Sequence, residues 1–223
     1  MERFFDILFS SLSLLLLSPL LLPILFILRC TGEGEVFFKQ ERIGRYGQTF
    51  KLFKFATMLK NSPNMGTGTL TIDNDPRVLP FGVFLRKSKI NELPQLLNIL
   101  KGDMSIIGPR PLTRDGFDVY TNDTKNQIMQ VRPGLSGIGS IIFSNEEAFL
   151  NDEENSIEFY KKIIAPFKGE LETWFVSNKS IGVYFLAIFA TIWVMLFSEK
   201  KIAWSIFSDL PEPPDELKHR FTI

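Results

Sequence analysis

The sequence predicts an α+β protein attached to a membrane, with a small mixed helical and β domain carried between two apolar helices. Three observations predict it. Two blocks without a charged residue, 7–28 and 181–197, lie toward the two ends of the chain. Between them, short alternating runs of β type are interspersed with helical patterns. The arginines and prolines of this middle stretch gather into a few tight segments. The organisation reads as a membrane helix over 1–29, a domain over 30–172, a membrane-associated helix over 173–204 and a polar tail over 205–223.

Composition narrows the chemistry. The 223 residues suit one compact domain with attached pieces. Net charge is +0, so no overall basic field points to nucleic acid, and no such partner is expected. Cys30 and His219 stand alone in their kinds, which excludes an intramolecular disulfide and an ordinary zinc site. A metal would rest on oxygen ligands, which directs attention to Mg²⁺ and phosphate chemistry.

The N-terminal block is long enough to cross a hydrocarbon core. Its n-region (Met1, Glu2, Arg3, Asp6) lacks the positive charge of a signal peptide, and no small-residue cleavage site follows Leu28. Ser18-Pro19 and Pro23 interrupt the block, so a kink or break is expected near Ser18, whose hydroxyl can satisfy a freed backbone group. A kinked span and a hairpin returning to its starting face both fit this pattern. Strands are expected at 36–38 and 50–55 around a basic turn at 42–47, a mobile loop at 61–71, and helices at 92–100 and 146–164. The second block is short for a span. With Trp174 and Trp204 flanking it as an interfacial belt, it is expected to lie in or on the membrane face. Pro211, Pro213 and Pro214 mark the tail as extended or disordered.

Three segments carry the chemistry. In the first, Asn91 is expected to cap a helix with Pro94 in its first turn and Leu93, Leu96, Leu97 and Leu100 along one stripe. Arg86, Lys87 and Lys89 arrive just before it. Asn91 and Glu92 then sit in a phosphate-binding mouth, or else the segment is a capped surface helix with solvated lysines. The second segment locks Arg110 between Pro109 and Pro111. The third places Arg132 before Pro133, Gly134 and Gly137, where glycine permits close backbone approach. Arginine suits bidentate phosphate contact. Each segment alone reads as a rigid turn; together, beside two apolar blocks, they point to a phosphate site.

These segments, in this order, resemble the small monotopic phosphoglycosyl transferases, also called bacterial sugar transferases. The resemblance covers nearly the whole chain. It rests on the Ser18-Pro19 break, Phe38-Lys39-Gln40-Glu41-Arg42-Ile43-Gly44, Lys54-Phe55-Ala56-Thr57-Met58, Leu93-Pro94-Gln95-Leu96, Lys101-Gly102-Asp103-Met104-Ser105, Gly108-Pro109-Arg110-Pro111 and Arg132-Pro133-Gly134. It implies a re-entrant N-terminal helix, interfacial helices and a catalytic domain on the cytoplasmic face of the bacterial inner membrane. It also implies transfer of a sugar 1-phosphate from a UDP-sugar to polyprenol (undecaprenyl) phosphate, with Mg²⁺ and release of UMP. Further partners implied are membrane lipid, a second copy and downstream glycosyltransferases.

The family's mechanism uses an adjacent Asp-Glu pair, with the Asp attacking the sugar-proximal phosphorus. That pair falls here on Asn91-Glu92, and an amide is a poor nucleophile and a weaker metal ligand. Four accounts stay open. Glu92 replaces the nucleophile; Glu92 serves as base or metal ligand in a direct transfer; Asn91 is an introduced substitution; or the chain is a silent member that binds substrate or a partner. Glu92 and Asn91 are the catalytic and metal candidates, and Arg86, Arg110, Arg132 and Lys54 the phosphate contacts. Ala56 stands where many members are basic, and 138–143 departs from the family run, leaving the donor sugar open.

Overall fold

The computed structural model describes residues 1–65, 75–144 and 156–221, mixing helices with two small sheets. The expected loop at 61–71 lies outside the described residues from position 66 onward. So does the expected helix at 146–164 before position 156. The chain divides into two compact units, Ile7–Glu41 with Lys51–Gly102, and Met1–Asp6 with Arg42–Phe50 and Asp103–Ile223.

One helix spans Glu2–Cys30 and is the one described helix long and apolar enough to cross a membrane. It continues through Ser18 and Pro19, where the sequence pattern suggested a break. The reason is local. Pro19 has no N–H for the Leu15 carbonyl four residues back, and the Ser18 hydroxyl donates to that carbonyl instead at 2.7 Å. Leu15 and Leu16, in the middle, are about 70% exposed, whereas Ile24 and Leu28 near the C-terminal end are buried.

In the first unit, Ile24 and Leu28 pack with Phe55 and Leu85, bordered by Leu21, Leu25, Val36, Phe81 and Ile90. Strands β1 (Phe37–Ile43) and β2 (Thr49–Phe55) pair through a turn in which Tyr46 takes φ 58° and Gly47 φ 73°. Both expected strands are therefore present, each longer than its apolar run. Helix Gln95–Lys101 is offset from expectation: its buried face is Gln95, Leu96, Asn98 and Ile99, and Leu97 is exposed. Asn98 explains the offset. Its carboxamide accepts from Phe53 N–H at 2.9 Å and donates to the Lys51 carbonyl at 2.8 Å, pairing with β2 as a strand residue would.

In the second unit, β3 (Ser105–Ile107) and β4 (Gly134–Ser136) are parallel, with Ser105 opposite Gly134 and Ile107 opposite Ser136. Ile43, Leu112, Phe117, Tyr120, Ile128 and Ala165 form its core cluster. Helix Ala165–Ser177 buries Phe167, Leu171 and Phe175. Helix Ile181–Phe197 starts at Ser180, whose hydroxyl accepts from Val183 N–H, and buries Tyr184, Ala187, Ala190 and Val194 along one face. Its other face exposes Phe185, Phe189, Ile192 and Leu196.

Two expectations about this C-terminal part change. Trp174 and Trp204 are bound within the protein: their indole N–H groups donate to Asp209 and to the Pro211 carbonyl, both at 3.1 Å. The tail is packed. Helix Asp215–Phe221 buries Leu217, and the Phe221 ring lies 5.7 Å from Phe143 and 5.5 Å from Trp204. Apolar residues at 217 and 221 are one helical turn apart, so the segment has a face to bury despite the prolines before it.

Asp6 anchors the second unit. Its buried Oδ1 accepts from Ser105 Oγ at 2.9 Å, Ile106 N–H at 2.9 Å and Tyr184 Oη at 3.0 Å. Burying an acid demands such donors, and losing the acceptor leaves three buried polar hydrogens unsatisfied. Asp6→Ala is expected to cost about 3 kcal/mol or more, against about 1 kcal/mol for Tyr184→Phe, as read from thermal melting in detergent.

Candidate functional site

Helix Pro80–Lys87 ends one turn before the candidate catalytic pair. Lys89 then takes φ 58°, uncommon for a residue with a Cβ, and a 3₁₀ turn covers Ile90–Glu92. Asn91 is thus not the helix cap that its sequence position suggested; Pro94 holds that place and the helix proper begins at Gln95. Pro94 lacks the N–H that an α-turn would direct to Ile90, so Leu93 N–H closes the tighter bond to Ile90 at 3.1 Å. The following helix has seven residues and provides no helix-end anion mouth.

This turn places Asn91 inward and Glu92 at the surface. Asn91 is 7% exposed, and its Oδ1 has no hydrogen-bond partner among the described residues. Glu92 Oε1 accepts from Lys54 Nζ of β2 at 2.8 Å, with side chains 24% and 20% exposed. Arg86 Nη1 lies 3.9 Å from Met58 Sδ. The first unit therefore brings Lys54 and Glu92 together, with Asn91 adjacent in the chain and Arg86 on the preceding helix.

Arg110 and Arg132 belong to the second unit, where glycine packing sets their main chains. A Cβ at Gly134 would lie 2.1 Å from Gly108 N, and one at Gly108 would lie 2.4 Å from the Arg132 carbonyl. The two arginine segments thus run side by side at a distance that only glycine permits. Every bonding group of the Pro109–Pro111 main chain other than the Arg110 carbonyl is engaged. Gly134 N–H donates to the Pro109 carbonyl at 2.8 Å, Arg110 N–H to Glu172 Oε1 at 3.3 Å, and Arg42 Nη1 to the Pro111 carbonyl at 3.0 Å. Arg110 itself is exposed.

Sequence reasoning missed Glu172. Its carboxyl group is fully buried in helix Ala165–Ser177, Oε2 has no hydrogen-bond partner, and burial pushes its pKa up to about 7. The Arg110 N–H and the charges of Lys168 and Arg110 act in the opposite direction. The signal was present. Lys168 and Glu172 occupy the same buried face as Phe167, Leu171 and Phe175, so two charges lie within an apolar stripe.

No group of three or more His, Cys, Asp or Glu side chains that could hold a metal occurs among the described residues. Glu92 and Asn91 still fit Mg²⁺, which commonly takes one or two carboxylates and completes its shell with water and substrate phosphate. The unpartnered Asn91 Oδ1 is the observation consistent with a further oxygen ligand.

Residues 1–198 match the family model for bacterial sugar transferases. The exopolysaccharide production protein ExoY of Rhizobium meliloti is 33% identical over 205 residues, covering 86% of this chain and 83% of that protein. The UDP-glucose:undecaprenyl-phosphate glucose-1-phosphate transferase of Escherichia coli is 35% identical over 192 residues, covering 85% of this chain and 39% of that protein. The undecaprenyl-phosphate galactose phosphotransferase of Salmonella typhimurium is 30% identical over 210 residues, covering 88% and 40%. The chain thus spans most of ExoY and about two fifths of the two longer proteins.

Two stability measurements check this geometry. Lys54→Met is expected to cost less than about 1 kcal/mol, since a part-exposed ion pair stabilises little. For Glu172, a folded pKa raised from 4.5 to about 7 favours the neutral form in the native state. Its contribution therefore falls as pH rises from 4.5 to about 7 and is flat above. Across that window Glu172→Gln is expected to remove a slope on the order of 3 kcal/mol from the pH dependence of the urea midpoint.

Proposed function

We propose that this chain, which belongs to the bacterial sugar transferase family, moves a sugar 1-phosphate from a UDP-sugar to undecaprenyl phosphate and releases UMP. The relatives named above for such transfers support the acceptor and the reaction class. The observation that carries the reading at the site is the Lys54–Glu92 pair beside a buried Asn91 whose Oδ1 lacks a partner.

Glu92 is the working carboxylate. Its oxygen attacks the sugar-proximal phosphorus, the bond to the UMP phosphate oxygen breaks, and that oxygen leaves with the electron pair. A phosphate oxygen of the polyprenol carrier then attacks the same phosphorus and returns the carboxylate. Lys54 orients Glu92, and Asn91 supplies a neutral oxygen in place of a second charge. Mg²⁺ held by Glu92 and Asn91 would neutralise diphosphate charge. Arg86, Arg110 and Arg132 are the proposed phosphate contacts, chosen for their planar donors.

Chain continuity supports a re-entrant topology. Asp6 is bonded to Ser105 and Ile106, and no described segment between Cys30 and Ser105 is long and apolar enough to cross a bilayer. Residues 66–74 number only nine and are too short to do so. This supports reading helix Glu2–Cys30 as re-entrant, with its exposed Leu15 and Leu16 entering lipid. The apolar face of helix Ile181–Phe197 suits the same surface. The proposed face is the cytoplasmic side of the inner membrane, where nucleotide sugars are available.

The chemical test uses purified protein, Mg²⁺, undecaprenyl phosphate and a panel of UDP-sugars, with UMP release as readout. Release is expected from the wild type, weakened but still measurable in Asn91→Ala, which loses one proposed Mg²⁺ ligand, and reduced at least 10³-fold in Glu92→Gln. Omitting the acceptor is expected to leave a sugar-phosphate mass adduct on the protein. Absence of release from the wild type, restored by Asn91→Asp, sinks the active reading and identifies a silent member. For topology, native Cys30 and a Cys30→Ser/Phe4→Cys protein are expected to react with an impermeant maleimide from the same face of membrane vesicles. Reaction from opposite faces would show a spanning helix.

A further inference from the structure

We infer that Glu172 is a positioning residue for donor binding, acting through the main chain of Arg110. The Pro109–Pro111 turn contains one backbone N–H, because both prolines lack theirs. That single donor is Arg110 N–H, and its acceptor is Glu172 Oε1, from a helix 62 residues further along the chain. The turn's other two bonds engage the carbonyls on either side of Arg110. Glu172 therefore sets the one remaining handle on the residue that presents the guanidinium.

The carboxyl group has little freedom to move away. Glu172 is 2% exposed, and a Cβ added at Gly139 would lie 2.6 Å from Oε1 and 3.2 Å from the carboxyl carbon. The absence of a side chain at 139 is what makes room for it. An acid enclosed this tightly, with Oε2 lacking a partner, costs stability, and a Leu there would fill the space without that penalty. What it supplies in this position is an acceptor for Arg110 N–H. The charges acting on it are Lys168 from its own helix and Arg110 from the turn; helix Ile138–Ile142, which also packs here, carries none.

The inference rests on the reading of Arg110 as a phosphate contact, so both are tested together. Calorimetric binding of UDP with Mg²⁺ is measured on the detergent-solubilised full chain for wild type, Arg110→Ala, Glu172→Leu, the double variant and Gly139→Ala. Expected are roughly tenfold weaker UDP binding in each single variant and no further loss when Glu172→Leu is added to Arg110→Ala, as for coupled residues. Glu172→Gln keeps a carbonyl acceptor and is expected to stay within about twofold of wild type. The terminal phosphate of UDP also titrates between pH 6 and 8, so the expected signature of Glu172 is a difference between the wild-type and Glu172→Gln pH profiles of UDP affinity. If Glu172→Leu does not fold, Gly139→Ala alone and combined with Arg110→Ala carries the same comparison. Wild-type UDP affinity in Glu172→Leu and Gly139→Ala, or losses that add to that of Arg110→Ala, overturn the positioning role. Unchanged binding in Arg110→Ala overturns the phosphate-contact reading itself.

Discussion

A carboxylate placed out of water must find donors, and Asp6 shows how much architecture one such requirement can organise. Its Oδ1 draws a hydroxyl and a main-chain N–H from the β3 segment and a phenol from helix Ile181–Phe197. The first turn of an otherwise lipid-suited helix is thereby held against a small parallel sheet and a second apolar helix. The exposed faces of the two helices follow from this. Side chains along Tyr184, Ala187 and Ala190 are buried in protein, and the apolar surface that stays exposed is compatible with a membrane.

Acidic side chains divide the work by their surroundings. Asp6 is saturated with donors and serves as an anchor. Glu92 is partly exposed beside Lys54. Glu172 is enclosed, holds one long hydrogen bond and is pushed up to about 7 by burial. The same functional group thus meets three hydrogen-bond donors, a lysine at the surface and the main chain of an arginine turn, and its behaviour differs with solvent and partners.

Much of this was legible in the chain. The apolar blocks, the strand pair, the rigid Arg110 turn and the glycines of the Arg132 segment are local signals, because proline, glycine and uninterrupted hydrophobicity act within a few residues. The motif order also marked the family. The Ser18 hydroxyl was legible as a partner for the carbonyl that Pro19 frees; less legible was the packed tail, whose short helix hides behind three prolines. Asn91 was read as a cap because its spacing to Pro94 fits one; the 3₁₀ turn buries it instead.

The sequence by itself determined two apolar blocks suited to a membrane, a mixed class, an Asn-Glu pair where two acids were expected, and arginines fixed by proline. Only the tertiary structure decided that Asn98 completes the edge of β2, that Asp6 joins Ser105, and that Glu172 receives the lone N–H of the Arg110 turn. Each of these bonds links residues between 45 and 100 positions apart. Neither periodicity nor composition carries information over such separations, because the partners become neighbours only when the chain has packed.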